Sequence, residues 1–382
     1  MNGKERIMTA LEVKQPDVVP IWEMAYNESS IIGIAKHFMD SDKLPEPKLI
    51  MDMSDTEVFQ LIDGLITFVR ELDLDGVTAV SSAPRERVDK DHMRDAIGVV
   101  YHLSEFGEPY PIEGPIKEQS DLKGFRMRRP ENADFTMLDM LRSTFPEKAV
   151  AFHMPATFKL SWTLRGSMQK LLMDYILNPE LTHQLARLVT DYCFEFIDIA
   201  FEKGADFIAC EGDLAHNPGP LMSPKHYNEF IGPYHKEICD RVHKNGGKII
   251  KHSDGNLTPL VPALLEAGFD GIHPIQPQCM EIGEIKQSFG KRTCLLGNID
   301  CCFLLVFESP EEVRQSVRET IAKAAPEGGY IISSSNSIHP GCKPENYLAM
   351  VEATRKYGHY PELAGMLPPG SGHDKSPKTI GI

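Results

Sequence analysis

A histidine and an aspartate two residues apart, in Lys248-Ile-Ile-Lys-His252-Ser-Asp254-Gly-Asn256, are the groups best placed to do joint chemistry. Residues 248–251 read as a short strand, and Gly255 turns the chain toward the next helix. Side chains alternate along a strand, so His252 and Asp254 share a face if the strand runs on to Asp254. An imidazole and a carboxylate then converge on one point, able to hold a metal ion or to move a proton. Taken alone, the pair can equally be a helix cap and a packed histidine. Repetition of the same residue types elsewhere tips the balance toward chemistry.

The surrounding elements supply that repetition. Short apolar runs near residues 18, 76, 148, 205, 247, 269, 293 and 329 read as strands, each followed by a helical stretch. Helical patterns cover 55–73, 166–203, 224–244 and 344–357, and Ser309-Pro-Glu-Glu312 forms a capping box with proline at the first helical position. Eight such repeats are the pattern of an α/β fold, a parallel eight-stranded (β/α)8 TIM barrel. A doubly wound open sheet competes, but its glycine-rich turn after the first strand is missing here. Residues 91–130 break the rhythm. Val99-Val-Tyr-His-Leu103, Phe106-Gly-Glu108 and Pro109-Tyr-Pro111 predict a hairpin inserted after the second strand, over one mouth of the barrel. The expected organisation is one barrel domain over 1–366 and a loose tail over 367–382, rich in Gly, Pro, Ser and Lys.

In such barrels the working residues sit at the carboxyl ends of the strands. Those ends carry Glu23, Ser81, His153, Glu211 with Asp213, His252 with Asp254, His273 with Gln276, Asn298 with Asp300, and Ser333 to Asn336. Exposed strand ends are polar in any case, yet acids and imidazoles here exceed the serine and glycine of ordinary loops, which points to one polar cavity. Glu211, His252 and Asp254 are the expected zinc ligands, in a nitrogen and oxygen set with an open position. Without a metal the same residues, with Asn298 and His339, serve acid–base catalysis. His153, Asp213, His273, Gln276 and Ser335 are expected to face a substrate. Trp22 and Tyr26, with Phe158 and Trp162, line an aromatic slot or pack in the core. His216, His226 and His235 lie on or before a helix and are expected at the surface.

Composition narrows the classes. A net charge of −15 disfavours nucleic acid or an acidic membrane as main partner, since both demand basic patches. No apolar run reaches membrane-spanning length and the first residues do not read as a secretory signal, so the expected location is cytoplasmic. The eight cysteines are scattered without a Cys-x-x-Cys, which argues against a disulfide framework or a cysteine-rich zinc module.

Glu211-Gly-Asp-Leu-Ala-His216, Met222-Ser-Pro224, His252-Ser-Asp-Gly255, Gly268-Phe-Asp-Gly-Ile-His-Pro274, Leu296-Gly-Asn-Ile-Asp300 and Ser333-Ser-Ser-Asn-Ser-Ile-His-Pro340 resemble the uroporphyrinogen decarboxylase superfamily. That superfamily holds porphyrinogen decarboxylases and cobalamin-dependent methyltransferases on one barrel. The decarboxylases carry an Arg-Gln-Ala-Gly-Arg segment after the first strand and an aspartate at the second. Here Trp22-Glu-Met-Ala-Tyr-Asn-Glu28 and Ser81-Ser-Ala83 occupy those places, so a polycarboxylate would meet like charge. Thiol-methylating members hold zinc with a His-x-Cys pair and a later cysteine; Asp254 stands at the first cysteine position and serines at 333–335 near the second. Histidine and carboxylate ligands leave zinc a stronger Lewis acid than thiolates do, so the resemblance implies an oxygen-bearing substrate. It implies an O-demethylase that moves a methyl group from a methoxylated, aromatic substrate to the cob(I)alamin of a partner corrinoid protein. No Asp-x-His-x-x-Gly cobalamin motif is present, so the corrinoid arrives on that partner. A decarboxylase of a porphyrin-like acid and a non-catalytic ligand-binding barrel are the alternatives, and a homodimer is left open.

Overall fold

The computed structural model describes residues 1–81, 83–103 and 109–360. Ser82, the Phe106-Gly-Glu108 part of the expected hairpin and the expected tail lie outside them. Seven parallel strands form the curved central sheet: β1 (Gly76–Val80), β2 (Ala149–Pro155), β3 (Phe207–Glu211), β4 (Lys248–His252), β5 (Gly271–His273), β6 (Cys294–Leu296) and β7 (Tyr330–Ile331), paired in that order. Chain order and spatial order coincide, as repeated crossovers of one hand require.

Among the described residues this sheet has seven regular strands rather than the expected eight. The run near residue 18 stays irregular because Pro20 has no N–H to give a ladder and Ile21 gives its own to the Asp75 carboxylate, at 2.8 Å. The segment still joins the sheet edges. Ile332 N donates to Pro20 O at 3.0 Å on the β7 side, and Asp75 N donates to Ile21 O at 3.1 Å on the β1 side. Arg6 and Arg355 pair with Asp75, at 3.1 and 3.0 Å, and hold this buried anchor.

Alternation along the strands decides what faces inward. Ala149 and Ala151 of β2, Phe207 and Ala209 of β3, Ile250 of β4 and Ile331 of β7 form one interior cluster with Trp22. The alanines leave room for the indole, which meets Phe207 edge-on at 5.5 Å. Helix Gly3–Leu11, set by a capping box between Asn2 and Glu5, presses Ile7, Ala10 and Leu11 into the same cluster and closes the amino ends of the strands. The carboxyl ends are left as the open mouth. One step up from the interior cluster, the same alternation turns His153, Glu211, His252 and His273 inward.

Helices pack outside. The expected helix over 166–203 is two, Met168–Leu177 and Pro179–Glu202, since proline is excluded from a helix interior. The one over 224–244 divides at Ile231 for the same reason, giving Pro224–Phe230 and Gly232–Lys244. The insertion is more than a hairpin: Arg85–Arg87, His92–Asp95, Val100–His102 and Tyr110–Glu113 make a four-stranded antiparallel sheet. It returns against the helix that follows β2, with Ile116 N donating to Leu164 O at 3.0 Å. Among the described residues no helix is long and apolar enough to cross a membrane.

Candidate metal centre at the strand ends

Strand register brings the two inward histidines together, because His252 of β4 is the partner of His273 of β5. Their Nδ1 atoms are 2.8 Å apart, and His273 Nε2 lies 3.1 Å from Ser333 Oγ. Ser333 donates its one proton to the Ser334 carbonyl, at 3.0 Å. It therefore accepts from His273 Nε2–H, which leaves His273 Nδ1 bare to accept from His252 Nδ1–H. His252 Nε2 ends the relay as a lone pair. Burial, reinforced by Lys251, His153 and Lys159, outweighs Glu211 and lowers His252 to about 3, and burial likewise holds His273 well below its ordinary range. Both rings are thus neutral.

That lone pair faces two carboxylates. His252 Nε2 is 3.8 Å from Asp213 Oδ1 and 3.9 Å from Asp254 Oδ1. Asp254 Oδ2 accepts from Asn336 Nδ2 at 2.6 Å, whereas its Oδ1 is buried without a hydrogen-bond partner among the described residues. Asp213 Oδ1 accepts from Asp254 N at 2.9 Å. Three electron-rich atoms meet with that one backbone N–H among them, and a cation or a proton relieves the remaining repulsion. Burial, together with Asp213 and Glu211, pushes the Asp254 carboxyl up to about 7. Asp213, His252 and Asp254 offer ligand atoms within 4.8 Å of one another, the one such trio among the described residues. One imidazole nitrogen and two carboxylate oxygens suit zinc, and the unpartnered Asp254 oxygen gives it a vacant lone pair. The His273–Ser333 relay supplies the outer contact that fixes the ligand tautomer.

Glu211 belongs to the other side of the mouth, and the expected ligand set changes accordingly. Its carboxylate sits 3.5 Å from His153 Nε2 and 3.3 Å from Lys159 Nζ. Burial would raise it, but His153 and Lys159 hold it down at about 2. The switch from Glu211 to Asp213 is made by Gly212, whose φ of +137° bends the chain after β3 and whose missing Cβ admits Lys159. Gly255 does the same after β4, where a Cβ would lie 2.4 Å from His216 N.

The remaining expected residues make contacts with the framework. Asn298 Nδ2 donates to Ile275 O at 2.9 Å, and His339 spends Nε2 on Cys301 O and Nδ1 on Gly341 N, so neither is free for proton transfer here. Gln276 accepts from Gly255 N at 2.7 Å and shapes the turn beside Asp254. Ser335 accepts from Cys301 N and is buried. Trp22 is interior core, and Tyr26 sits outside the sheet on Phe68 with its hydroxyl on Tyr347, so neither lines a slot at the mouth. Phe158 is buried, and Lys159 lies over the Trp162 ring at 5.0 Å. His235 is buried with Nδ1 on Tyr227, contrary to the surface expectation, because its helix face packs on Phe269. Two residues escaped notice in the sequence, Lys159 and Lys251, and Asn336 was counted at a strand end without a role. Lys251 is a buried outward lysine whose Nζ donates to Gly212 O and His252 O, both at 2.6 Å, tying the ends of β3 and β4 together. Only the position of Lys159 just after a strand end offered a signal. A separate groove of about 800 Å³ beside Leu122, Phe125 and Tyr234 contains none of these groups, and its Arg187 is paired with Asp191 and Glu237.

The family model described as uroporphyrinogen decarboxylase (URO-D) matches residues 92–357. A uroporphyrinogen decarboxylase of Coxiella burnetii is 25% identical over 277 residues, covering 69% of this chain and 74% of its own length. One from Thioalkalivibrio sulfidiphilus is 22% identical over 382 residues, covering 93% and 98%. Among solved structures, a methyltransferase from Methanosarcina mazei superposes with a TM-score of 0.71 at 19% identity, over 94% of this chain and 99% of that one. At that identity the likeness speaks to the fold.

Proposed function

The chain belongs to the uroporphyrinogen decarboxylase family, and from that premise we propose that it is a methyltransferase rather than a decarboxylase: an O-demethylase moving a methyl group from a methoxylated aromatic substrate to the cob(I)alamin of a partner corrinoid protein. The observation that carries the reading is the bare His252 Nε2 set against Asp213 and Asp254, a trio of nitrogen and oxygen donors able to hold a metal ion. Zinc bound by these three residues would act as a Lewis acid on the ether oxygen.

The chain's own groups do the rest. The partner's cob(I)alamin would supply the nucleophile that takes the methyl group, with the bonding pair left on the substrate oxygen as a phenolate. Lys159, 3.3 Å from the Glu211 carboxylate, stands in the mouth to neutralise that oxygen and give it a proton. Lys251 and the His273–Ser333 relay keep the ligand-bearing strand ends in place. A substrate bearing many carboxylates would meet Glu211, Asp213 and Asp254, while the segment where decarboxylases carry arginines is turned away from the mouth or buried in the core. This charge pattern disfavours the decarboxylase alternative.

The test is to mix the purified protein with cob(I)alamin and a panel of methoxylated aromatics. Methylcobalamin formation, followed by absorbance, with release of the matching phenol is the expected result. Carbon dioxide from uroporphyrinogen with no methyl transfer would restore the decarboxylase, and ligand binding without either reaction would make the barrel a binding protein.

A further inference from the structure

Glu23 stands at the end of an expected strand, yet it takes no part in the mouth. Trp22 and Met24 are in the interior cluster, so Glu23 faces the other way and is buried. An ionised carboxylate there would be costly without a cation. The titratable groups facing it are Tyr26, Tyr330, Tyr347 and Cys342, all neutral because burial raises them further. Its carboxyl's hydrogen-bond partner among the described residues is Ser334: Glu23 Oε1 accepts from Ser334 N at 3.0 Å, and Glu23 Oε2 is 2.7 Å from Ser334 Oγ.

Ser334 Oγ is also 2.9 Å from the Asn336 carbonyl oxygen. A hydroxyl has one proton to donate. With Glu23 ionised, both neighbours of that hydroxyl are acceptors and one contact stays unmade. With the proton on Glu23 Oε2, Glu23 donates to Ser334 Oγ, Ser334 donates to Asn336 O, and every contact is satisfied. Asn336 Nδ2 in turn donates to Asp254 Oδ2 at 2.6 Å.

We propose that Glu23 is a protonated positioning residue, whose chain through Ser334 and Asn336 orients Asp254 at the metal centre and lets go when Glu23 ionises. The coupling to Asp254 rests on the metal-centre reading above; the protonation of Glu23 does not. Burial holds this carboxyl up at about 8, so the release falls on the alkaline side of neutrality.

Two measurements on the full chain decide it. The first is the infrared difference between wild type and Glu23→Gln, with isotope-labelled glutamate. A protonated-carboxyl band at neutral pH that disappears as pH passes about 8 is expected; an ionised carboxylate at neutral pH overturns the proposal whatever the metal does. The second is the affinity for cobalt(II), used as an optical probe ion, across the same range. Glu23→Gln, whose amide can donate as the acid does, is expected to match wild type at neutral pH. Above about pH 8 wild type should fall behind it by about tenfold, the effect of losing an outer-shell contact. Glu23→Ala is expected to bind about tenfold more weakly throughout. A wild type that tracks Glu23→Gln at every pH, or a Glu23→Gln as weak as Glu23→Ala, overturns the proposal. Cobalt bound by no variant, with the protonated band present, removes the metal-centre reading and the coupling to Asp254 with it, while Glu23 stays protonated.

Discussion

On the β2 and β3 side of the mouth, Glu211 has a lysine at 3.3 Å and an imidazole at 3.5 Å; on the β4 side, Asp254 and Asp213 face an imidazole nitrogen stripped of its proton, at 3.9 and 3.8 Å. The same residue types are present on both sides, and their charges are handled in opposite ways. Glu211 is held down at about 2, whereas Asp254 is pushed up to about 7. The difference teaches where an added cation belongs. A site already balanced by Lys159 has little to gain from a metal, and a site where three lone pairs converge on a single backbone N–H gains most.

Removing a ligand should break the contrast with the largest effect. His252→Ala is expected to lower zinc affinity on the order of a hundredfold or more, above the range for outer-shell contacts, and to abolish methyl transfer. Metal content after dialysis checks the first and the cobalamin absorbance assay the second. Unchanged metal content would move the centre elsewhere. The next effect is pH dependence. Zinc must displace the Asp254 proton, so its affinity should rise by up to about tenfold per pH unit below about 7 and level off above it. In the metal-free protein the folded state keeps that proton between the ordinary aspartate range and about 7, while the unfolded chain has released it. Stability should therefore fall as pH rises through this window and be flat beyond it. Thermal melts of wild type and Asp254→Asn compare the two, with the slope expected to be smaller in the variant.

Lys159→Met sharpens the comparison from the balanced side. It should raise the Glu211 pKa, seen in a carboxyl carbon titration by NMR, and cut kcat/KM by about tenfold while leaving zinc affinity nearly intact. The smallest effect is expected at His339. Its two nitrogens are already engaged, so His339→Gln should change kcat by less than about threefold and show itself instead in a modest loss of thermal stability.

Much of the frame was legible beforehand because it depends on local pattern. Ser309 and Glu312 form the expected capping box. All of the expected strands from residue 76 onward appear, and His252 and Asp254 converge although the strand stops at His252. The misses have particular causes. Alternation alone cannot rank Glu211 against Asp213, because both fall on the inward parity and Gly212 then redirects one of them. Glu23 was counted among the mouth residues, but with Trp22 and Met24 turned inward it faces the other way. Lys159 and Asn336 gained their roles from neighbours on other strands.

The sequence by itself determined the repeating strand and helix order, the acidic balance and the inward parity of His153, Glu211, His252 and His273, since each follows from residue types a few positions apart. Tertiary structure alone decided that His252 Nε2 is left as a lone pair rather than a proton donor. That outcome requires the register of β4 on β5 and the reach of Ser333 from β7, contacts between residues 21 and 60 positions apart that no local pattern encodes.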